Sequence, residues 1–145
     1  MVMNYKNFIN GNWVVSDSGK ILESLNPADE SVVGHFQAST RADVRHAIAS
    51  AHSAFPSWRD TPAPSRAKYL WKMRDLLIKN KERLACLIVL EMGKVISEAR
   101  GDVQEAIDVF EYMAGEGRRM FGNTTPSELR EKFSMTIRMP VGVVG

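Results

Sequence analysis

Residues 133–145, FSMTIRMPVGVVG, set the hardest constraint on how this chain can fold. Phe133, Met135, Ile137 and Met139 alternate with Ser134, Thr136 and Arg138. Strict alternation sends apolar and polar side chains to opposite faces of a pleated strand, so a half-buried strand is predicted over 133–139. Pro140 has no N–H to donate and interrupts that ladder. Beyond it, Val141, Val143 and Val144 abandon the alternation and read as the opening of a strand buried on both faces, the pattern of a parallel sheet. Such a strand needs neighbours on either side and cover above and below, and no other stretch offers a parallel partner. The sequence ends where its main sheet is expected to begin.

Upstream, 7–15 (NFINGNWVV) and 21–25 (ILESL) are short β-type runs. Ser16, Asp17, Ser18 and Gly19 between them are turn residues, which predicts an antiparallel hairpin. Asn26-Pro27 breaks it, because the residue before proline is pushed out of the helical region. A third strand is expected over 31–37. Thr40 with Asp43 three positions on approximates a capping box and opens a first helix. Its apolar stripe is Val44, Ala47, Ile48, Ala51, Phe55 and Trp58. Pro62 and Pro64 separate it from a second helix starting near Ser65, whose stripe is Leu70, Met73, Leu77, Leu84, Leu87 and Ile88. Lys79, Lys81, Glu82 and Arg83 form the solvated side, and Gly93 is the expected stop. A third helix is predicted over 97–120, with Ala99, Val103, Ala106, Ile107, Phe110, Met113 and Ala114 on one stripe. Arg118 and Arg119 suit the negative end of its dipole.

Three amphipathic helices, a hairpin and two orphan strands do not close a domain, since each apolar face needs a partner. The expected class is α/β, with the chain forming the N-terminal part of a larger protein. A hydrophobic content of 44% with 25% charged residues excludes disorder as the explanation for the open architecture. A net charge of +2 is too small to imply a nucleic-acid partner. No apolar run approaches the roughly 20 residues of a membrane span. The opening MVMNYKNFING lacks the apolar core of a signal peptide, and a single cysteine permits no internal disulfide, so a reducing cytoplasm is the expected location.

The candidate reactive residues are few. Cys86 is the one thiol, but it falls inside the second helix with no histidine near it in sequence, so neither a basic partner nor a helix N-terminus is there to activate it. Inert packing is the expectation. His46 and His52 are six apart and face different sides of the first helix, while His35 stands alone, so histidine ligation of a metal is not supported. Gly115-Glu116-Gly117 begins like a phosphate loop but ends a helix, where a dinucleotide fingerprint must follow a strand and open one. Asp102, Glu105 and Asp108 run along one side of the third helix. They read as a solvated acidic stripe or as a rim that greets a cationic or polar substrate. No catalytic constellation emerges from chemistry alone.

The order and wording of the segments nonetheless resemble the aldehyde dehydrogenase superfamily. The matching pieces are Phe8-Ile9-Asn10-Gly11-Asn12-Trp13, Asn26-Pro27-Ala28, Ala54-Phe55-Pro56-Ser57-Trp58 and Leu90-Glu91-Met92-Gly93-Lys94. They continue with Glu98-Ala99-Arg100-Gly101-Asp102-Val103, Tyr112-Met113-Ala114-Gly115 and Pro140-Val141-Gly142-Val143-Val144-Gly145. Each is weak alone, but their order spans nearly the whole chain.

The resemblance implies oxidation of an aldehyde to a carboxylic acid with NAD or NADP, through a cysteine thioester that a glutamate-activated water hydrolyses. The family's nucleophile, base and cofactor phosphate segment all follow the PVGVVG stretch. No catalytic or cofactor-binding residue is therefore expected in this chain, and none of it is expected to bind the cofactor alone. Cys86 does not match the family nucleophile. By the same resemblance, 1–122 forms the front of the cofactor-binding domain, 123–139 an oligomerisation arm and 140–145 the start of the nucleotide-binding core. The complete protein is then expected to be a homodimer or homotetramer acting on a small aldehyde, without a nucleic-acid or membrane partner. A monovalent cation site is implied at Ser24, Leu25 (by its carbonyl) and Glu91, where glutamate replaces the usual aspartate. Asp102, Glu105 and Asp108 are the candidate substrate entrance. Leu90-Glu91-Met92-Gly93-Lys94, Asp102-Val103-Gln104-Glu105 and Thr125-Pro126-Ser127-Glu128 look most like semialdehyde dehydrogenases, which act on substrates such as 2-oxoglutarate semialdehyde. The competing expectation is a stand-alone, non-catalytic helical interaction module or the remnant of a decayed gene.

Overall fold

The computed structural model describes residues 3–145. Strand β1 (Met3–Asn4) runs parallel to β5 (Val32–Gln37), which pairs antiparallel with β4 (Ile21–Leu25), giving the order β1-β5-β4. Strands β2 (Asn7–Ile9) and β3 (Asn12–Val14) form a separate hairpin. Three helices follow, α1 (Arg41–Asp60), α2 (Ala63–Met92) and α3 (Ile96–Glu116). A second small ladder pairs β6 (Thr124–Pro126) with β7 (Phe133–Met135).

The core lies between α2 and α3. Ala85, Ala99, Val103 and Ile107 are buried there, with Leu77, Leu84, Ile88, Val89 and Ile96 packed around them. Alanines at the crossing let the two backbones approach, and burial of a side chain such as Val103 or Ile107 contributes about 1.5–3 kcal/mol. Polar pairs along the seam run in opposite orders on the two helices: Arg74–Glu111, Lys81–Gln104 and Glu82–Arg100. The helices are therefore antiparallel, as a short connection through Gly93 and Lys94 demands.

Helix α1 begins as its sequence requires. The Thr40 side chain accepts from the Asp43 N–H while the Asp43 side chain accepts from the Thr40 N–H. Yet α1 buries no residue: Val44, Ile48 and Trp58 remain about half exposed. Its stripe is present but largely uncovered among the described residues, apart from the Trp58 ring, which meets Tyr69 of α2 edge-on at 5.5 Å.

Several expectations are corrected in detail. The run 7–15 is not one strand. Asn10 and Gly11 take positive φ values of 51° and 77°, a tight turn that folds β3 back on β2 and sets Phe8 opposite Trp13. The turn at 16–19 therefore joins no hairpin, and β4 pairs with β5 instead. The strand expected over 133–139 pairs only through β7. Beyond it, the Thr136 N–H donates to the Asn123 carbonyl at 2.9 Å, and no further ladder forms. Residues 141–145 carry no strand pairing, since none of the described segments lies beside them, and Val141 and Val144 are 91% and 77% exposed. Helix α3 ends at Glu116, earlier than the 120 expected, because Gly117 and the turn after it release the chain.

Candidate functional site

The end of β4 and the end of α2 lie beside each other. Gly93 caps α2 at φ 70°, with its N–H donating to the Val89 carbonyl at 2.8 Å. A Cβ at Gly93 would stand 2.9 Å from Pro27 Cγ, so the cap and the Asn26-Pro27 turn touch. Glu91 lies in the last turn of α2, exposed. Ser24, half-buried, and Leu25, exposed, lie at the end of β4, where the pairing register shifts between them. A register shift interrupts the ladder and leaves backbone groups to find other partners. A hydroxyl, a carbonyl and a carboxylate are all hard oxygen donors, the chemistry that suits an alkali cation. Among the described residues, no three His, Cys, Asp or Glu side chains group to hold a metal ion.

Lys94, just past the Gly93 cap, donates to Asp102 Oδ2 at 2.6 Å. That bond, reinforced by the charges of Glu98 and Glu105, raises the Lys94 pKa above its ordinary value. Asp108 Oδ1 accepts from Gln104 at 2.8 Å, and Gln104 in turn accepts from Lys81 at 2.6 Å. Two of the three acids on α3 thus have protein partners, while Glu105 faces solvent. The stripe is real, but it is partly spent on holding α3 to α2 and to the loop between them.

His35 sits on β5 between Asn4 Oδ1 at 2.9 Å and Glu23 Oε1 at 3.2 Å, stitching the three-stranded sheet. His46 and His52 are exposed on α1. Cys86 is exposed, not packed, which corrects the expectation of inert packing. The packed positions around it are Leu84, Ala85 and Ile88, and a single helical step of about 100° carries Cys86 off that stripe.

A polar network between the N-terminal strands and α1 escapes sequence reasoning. Ser16 is 3% exposed, and its hydroxyl donates to Asp43 Oδ2 at 2.7 Å. The same oxygen accepts from the Thr40 N–H at 2.7 Å and the Thr40 hydroxyl at 2.8 Å. The Ser16 bond, then those from Thr40, hold the Asp43 carboxyl below its usual range. The capping box was visible in the sequence, but the link across 27 positions had no local signal.

These features bear on where a dinucleotide could sit. A phosphate needs a helix N-terminus with free N–H groups, usually reached by a glycine turn from a strand. Here α1 already holds the Asp43 carboxylate at its N-terminus, α2 opens on Ala63-Pro64, and α3 opens on Ile96 with Glu98 in its first turn. Gly115-Glu116-Gly117 closes α3. None of the three helix N-termini follows a strand through a glycine turn, the arrangement that cradles a dinucleotide's pyrophosphate.

Residues 13–145 match the aldehyde dehydrogenase family. The chain is 41% identical over 142 residues to the alpha-ketoglutaric semialdehyde dehydrogenase of Bacillus subtilis, covering 97% of this chain and 29% of that protein. It is 44% identical over 140 residues to the malonate-semialdehyde dehydrogenase of Halalkalibacterium halodurans, again covering 97% of this chain and 29% of the relative. Among solved structures, a betaine aldehyde dehydrogenase from Staphylococcus aureus in complex with NAD+ superposes with a TM-score of 0.88 at 29% identity, covering 94% of this chain and 28% of that one. The chain spans about 29% of the length of the curated relatives it matches, and its fold corresponds to their N-terminal part. With the family match running from residue 13 through all three helices and the C-terminal ladder, this chain belongs to the aldehyde dehydrogenase family.

Proposed function

We propose that the chain supplies the N-terminal part of an NAD- or NADP-dependent semialdehyde dehydrogenase, which oxidises its substrate to a carboxylic acid through a cysteine thioester. The observation that carries this reading is identity of 41% and 44% to two semialdehyde dehydrogenases across 97% of the chain. The substrate is an aldehyde bearing a second polar group. The nucleophilic cysteine, the glutamate base and the dinucleotide cradle belong to other parts of the protein in this reading. No chemical step is assigned to Cys86.

What these residues contribute is positional. Residues 1–122 form the front of the cofactor-binding domain, 123–139 the oligomerisation arm and 140–145 the first strand of the nucleotide-binding core. Ser24, the Leu25 carbonyl and Glu91 hold a monovalent cation where β4 meets the α2 cap, and bracing that junction is its role. Glu105, with Asp102 and Asp108 beside it, lines the substrate entrance. The complete enzyme is a cytoplasmic homodimer or homotetramer.

The test is to express the whole open reading frame that contains these residues and follow NADH and NADPH formation by near-ultraviolet absorbance. Malonate, succinate and 2-oxoglutarate semialdehydes are compared with an unsubstituted aliphatic aldehyde. Turnover is expected to favour a semialdehyde. Reduction of neither nucleotide with any aldehyde overturns the proposal, and a preference for the unsubstituted aldehyde overturns the substrate class.

A further inference from the structure

The start of α2 and the end of α3 enclose a cleft of about 310 Å3. Ala67, Leu70, Met113 and Met120 supply its apolar lining, and Arg66, Arg138 and the Glu116–Arg119 pair supply its charged groups. The same two arginines, with Met120, also border an adjoining hollow toward Pro140, so the cleft is continued rather than closed there.

The charges around this cleft are unequally satisfied. Arg119 donates to Glu116 Oε1 at 2.6 Å, and Arg59 at the rim donates to Asp60 Oδ1 at 2.7 Å, so both are neutralised locally. Arg66 has no carboxylate partner: its guanidinium lies 6.0 Å from the centre of the Trp58 ring and otherwise meets carbonyls. Its Nη1 donates to the oxygens of Trp58 at 3.2 Å, Arg59 at 3.0 Å and Thr61 at 2.6 Å. Arg138 donates through Nε alone, to the Phe121 carbonyl at 3.1 Å. A carbonyl fixes a guanidinium without cancelling its charge. Among the described residues, Nε and Nη2 of Arg66 and both Nη groups of Arg138 have no protein acceptor. Two anchored guanidinium groups with unused donors therefore line one cleft with an apolar stretch, and the Glu116 carboxylate on the same cleft is taken up by Arg119.

We propose that this cleft binds a small organic carboxylate with a short apolar chain. The carboxylate lies between Arg66 and Arg138, because a guanidinium presents paired donors that match its two oxygens. The chain lies over Leu70, Met113 and Met120, where it replaces water against apolar surface. An inorganic anion satisfies the arginines but leaves that wall wet, and a cation meets two uncompensated positive charges.

Calorimetric titration of the 145-residue chain with hexanoate is the test, beside hexylamine, acetate and inorganic phosphate. Saturable binding of hexanoate is expected, with acetate and phosphate at least about tenfold weaker and hexylamine silent. Arg138→Gln, in an exposed segment outside the helical core, is expected to weaken hexanoate about tenfold. Met120→Glu, which brings a negative charge to the cleft, is expected to weaken it at least as much. Absence of saturable heat with hexanoate, equal binding of hexylamine, equal binding of acetate or phosphate, or full affinity in either variant would overturn the assignment.

Discussion

The Ser16 hydroxyl donates to Asp43 Oδ2 across 2.7 Å, fastening the loop after β3 to the first turn of α1. Ser16 is nearly buried, and Asp43 is its acceptor, so the pair ties the strands to the helices through a single carboxylate oxygen. Replacement of Asp43 by Asn keeps the shape but gives up the charge that favours a helix N-terminus. Asp43→Asn is therefore expected to lower the melting temperature by a few degrees. The Asp43 carboxyl titrates below its ordinary value of 3.8 in the folded chain, chiefly through the Ser16 bond. A depressed carboxylate stabilises the fold above its unfolded pKa and loses that contribution as pH falls through its folded pKa. Melting curves from neutral pH into acid should thus show the wild-type advantage over Asp43→Asn shrinking below about pH 4. A gap that is constant with pH would show that the charge is not what stabilises the junction.

The two ends of this pair mark what sequence reveals. The Thr40–Asp43 cap is local, repeated within one helical turn, and could be read directly. The helices and Gly93 were legible for the same reason, since periodicity and capping act over a few residues. The approach of Ser16 to Asp43 spans 27 positions, and pairing of β4 with β5 turns on the reversal at 26–31, where Asn26-Pro27 reads as a break and not as a hairpin turn. The hairpin was misjudged because Ser16-Asp17-Ser18-Gly19 has turn composition, while Asn10-Gly11 lay unnoticed inside an apparent strand. At the candidate site, the acidic stripe of α3 was legible but its partners were not, because Lys94 reaches Asp102 from a loop.

Gly93 is held at φ 70°, and an added methyl would stand 2.9 Å from Pro27 Cγ. The left-handed conformation costs a non-glycine residue about 1–2 kcal/mol before any clash is counted. Gly93→Ala is expected to destabilise by at least that amount in urea unfolding. Adding Pro27→Ala should recover the steric part and leave the backbone part. Full recovery in the double variant would show that φ is not the limiting factor.

Ala99 is 0% exposed and faces Ala85 across the α2–α3 seam. Leucine there must push apart two helices whose spacing the alanines set. Ala99→Leu is expected to cost about 1–3 kcal/mol, whereas Val109→Ala on the exposed side of α3 should stay within about 0.5 kcal/mol. Equal unfolding midpoints for Ala99→Leu and wild type would contradict the tight crossing.

Cys86 is exposed and makes no core contact, so Cys86→Ser should change stability by less than about 0.5 kcal/mol. Its thiol should react with a water-soluble disulfide reagent in the native state, at a rate little changed when the chain is unfolded. Strong protection in the native chain would place the side chain inside a contact that its exposure denies.

The final prediction concerns association. Ile137, Met139, Val141 and Val144 are 70%, 75%, 91% and 77% exposed, and 141–145 pair with no strand among the described residues. Extended backbone beside valines offers N–H and C=O groups to any chain that can add a strand. Helix α1 adds a second apolar surface, with Val44 and Ile48 half exposed along its stripe. The 145-residue chain is expected to self-associate in a concentration-dependent way, through the terminal segment first, because a strand edge supplies hydrogen bonds as well as apolar area. Deleting 141–145 should therefore shift sedimentation toward monomer, while Ile48→Glu should have a smaller effect. If Ile48→Glu disperses the assembly and the deletion does not, the helix stripe is the adhesive surface. A sharp monomer with cooperative unfolding for the undeleted chain would show that neither surface drives association.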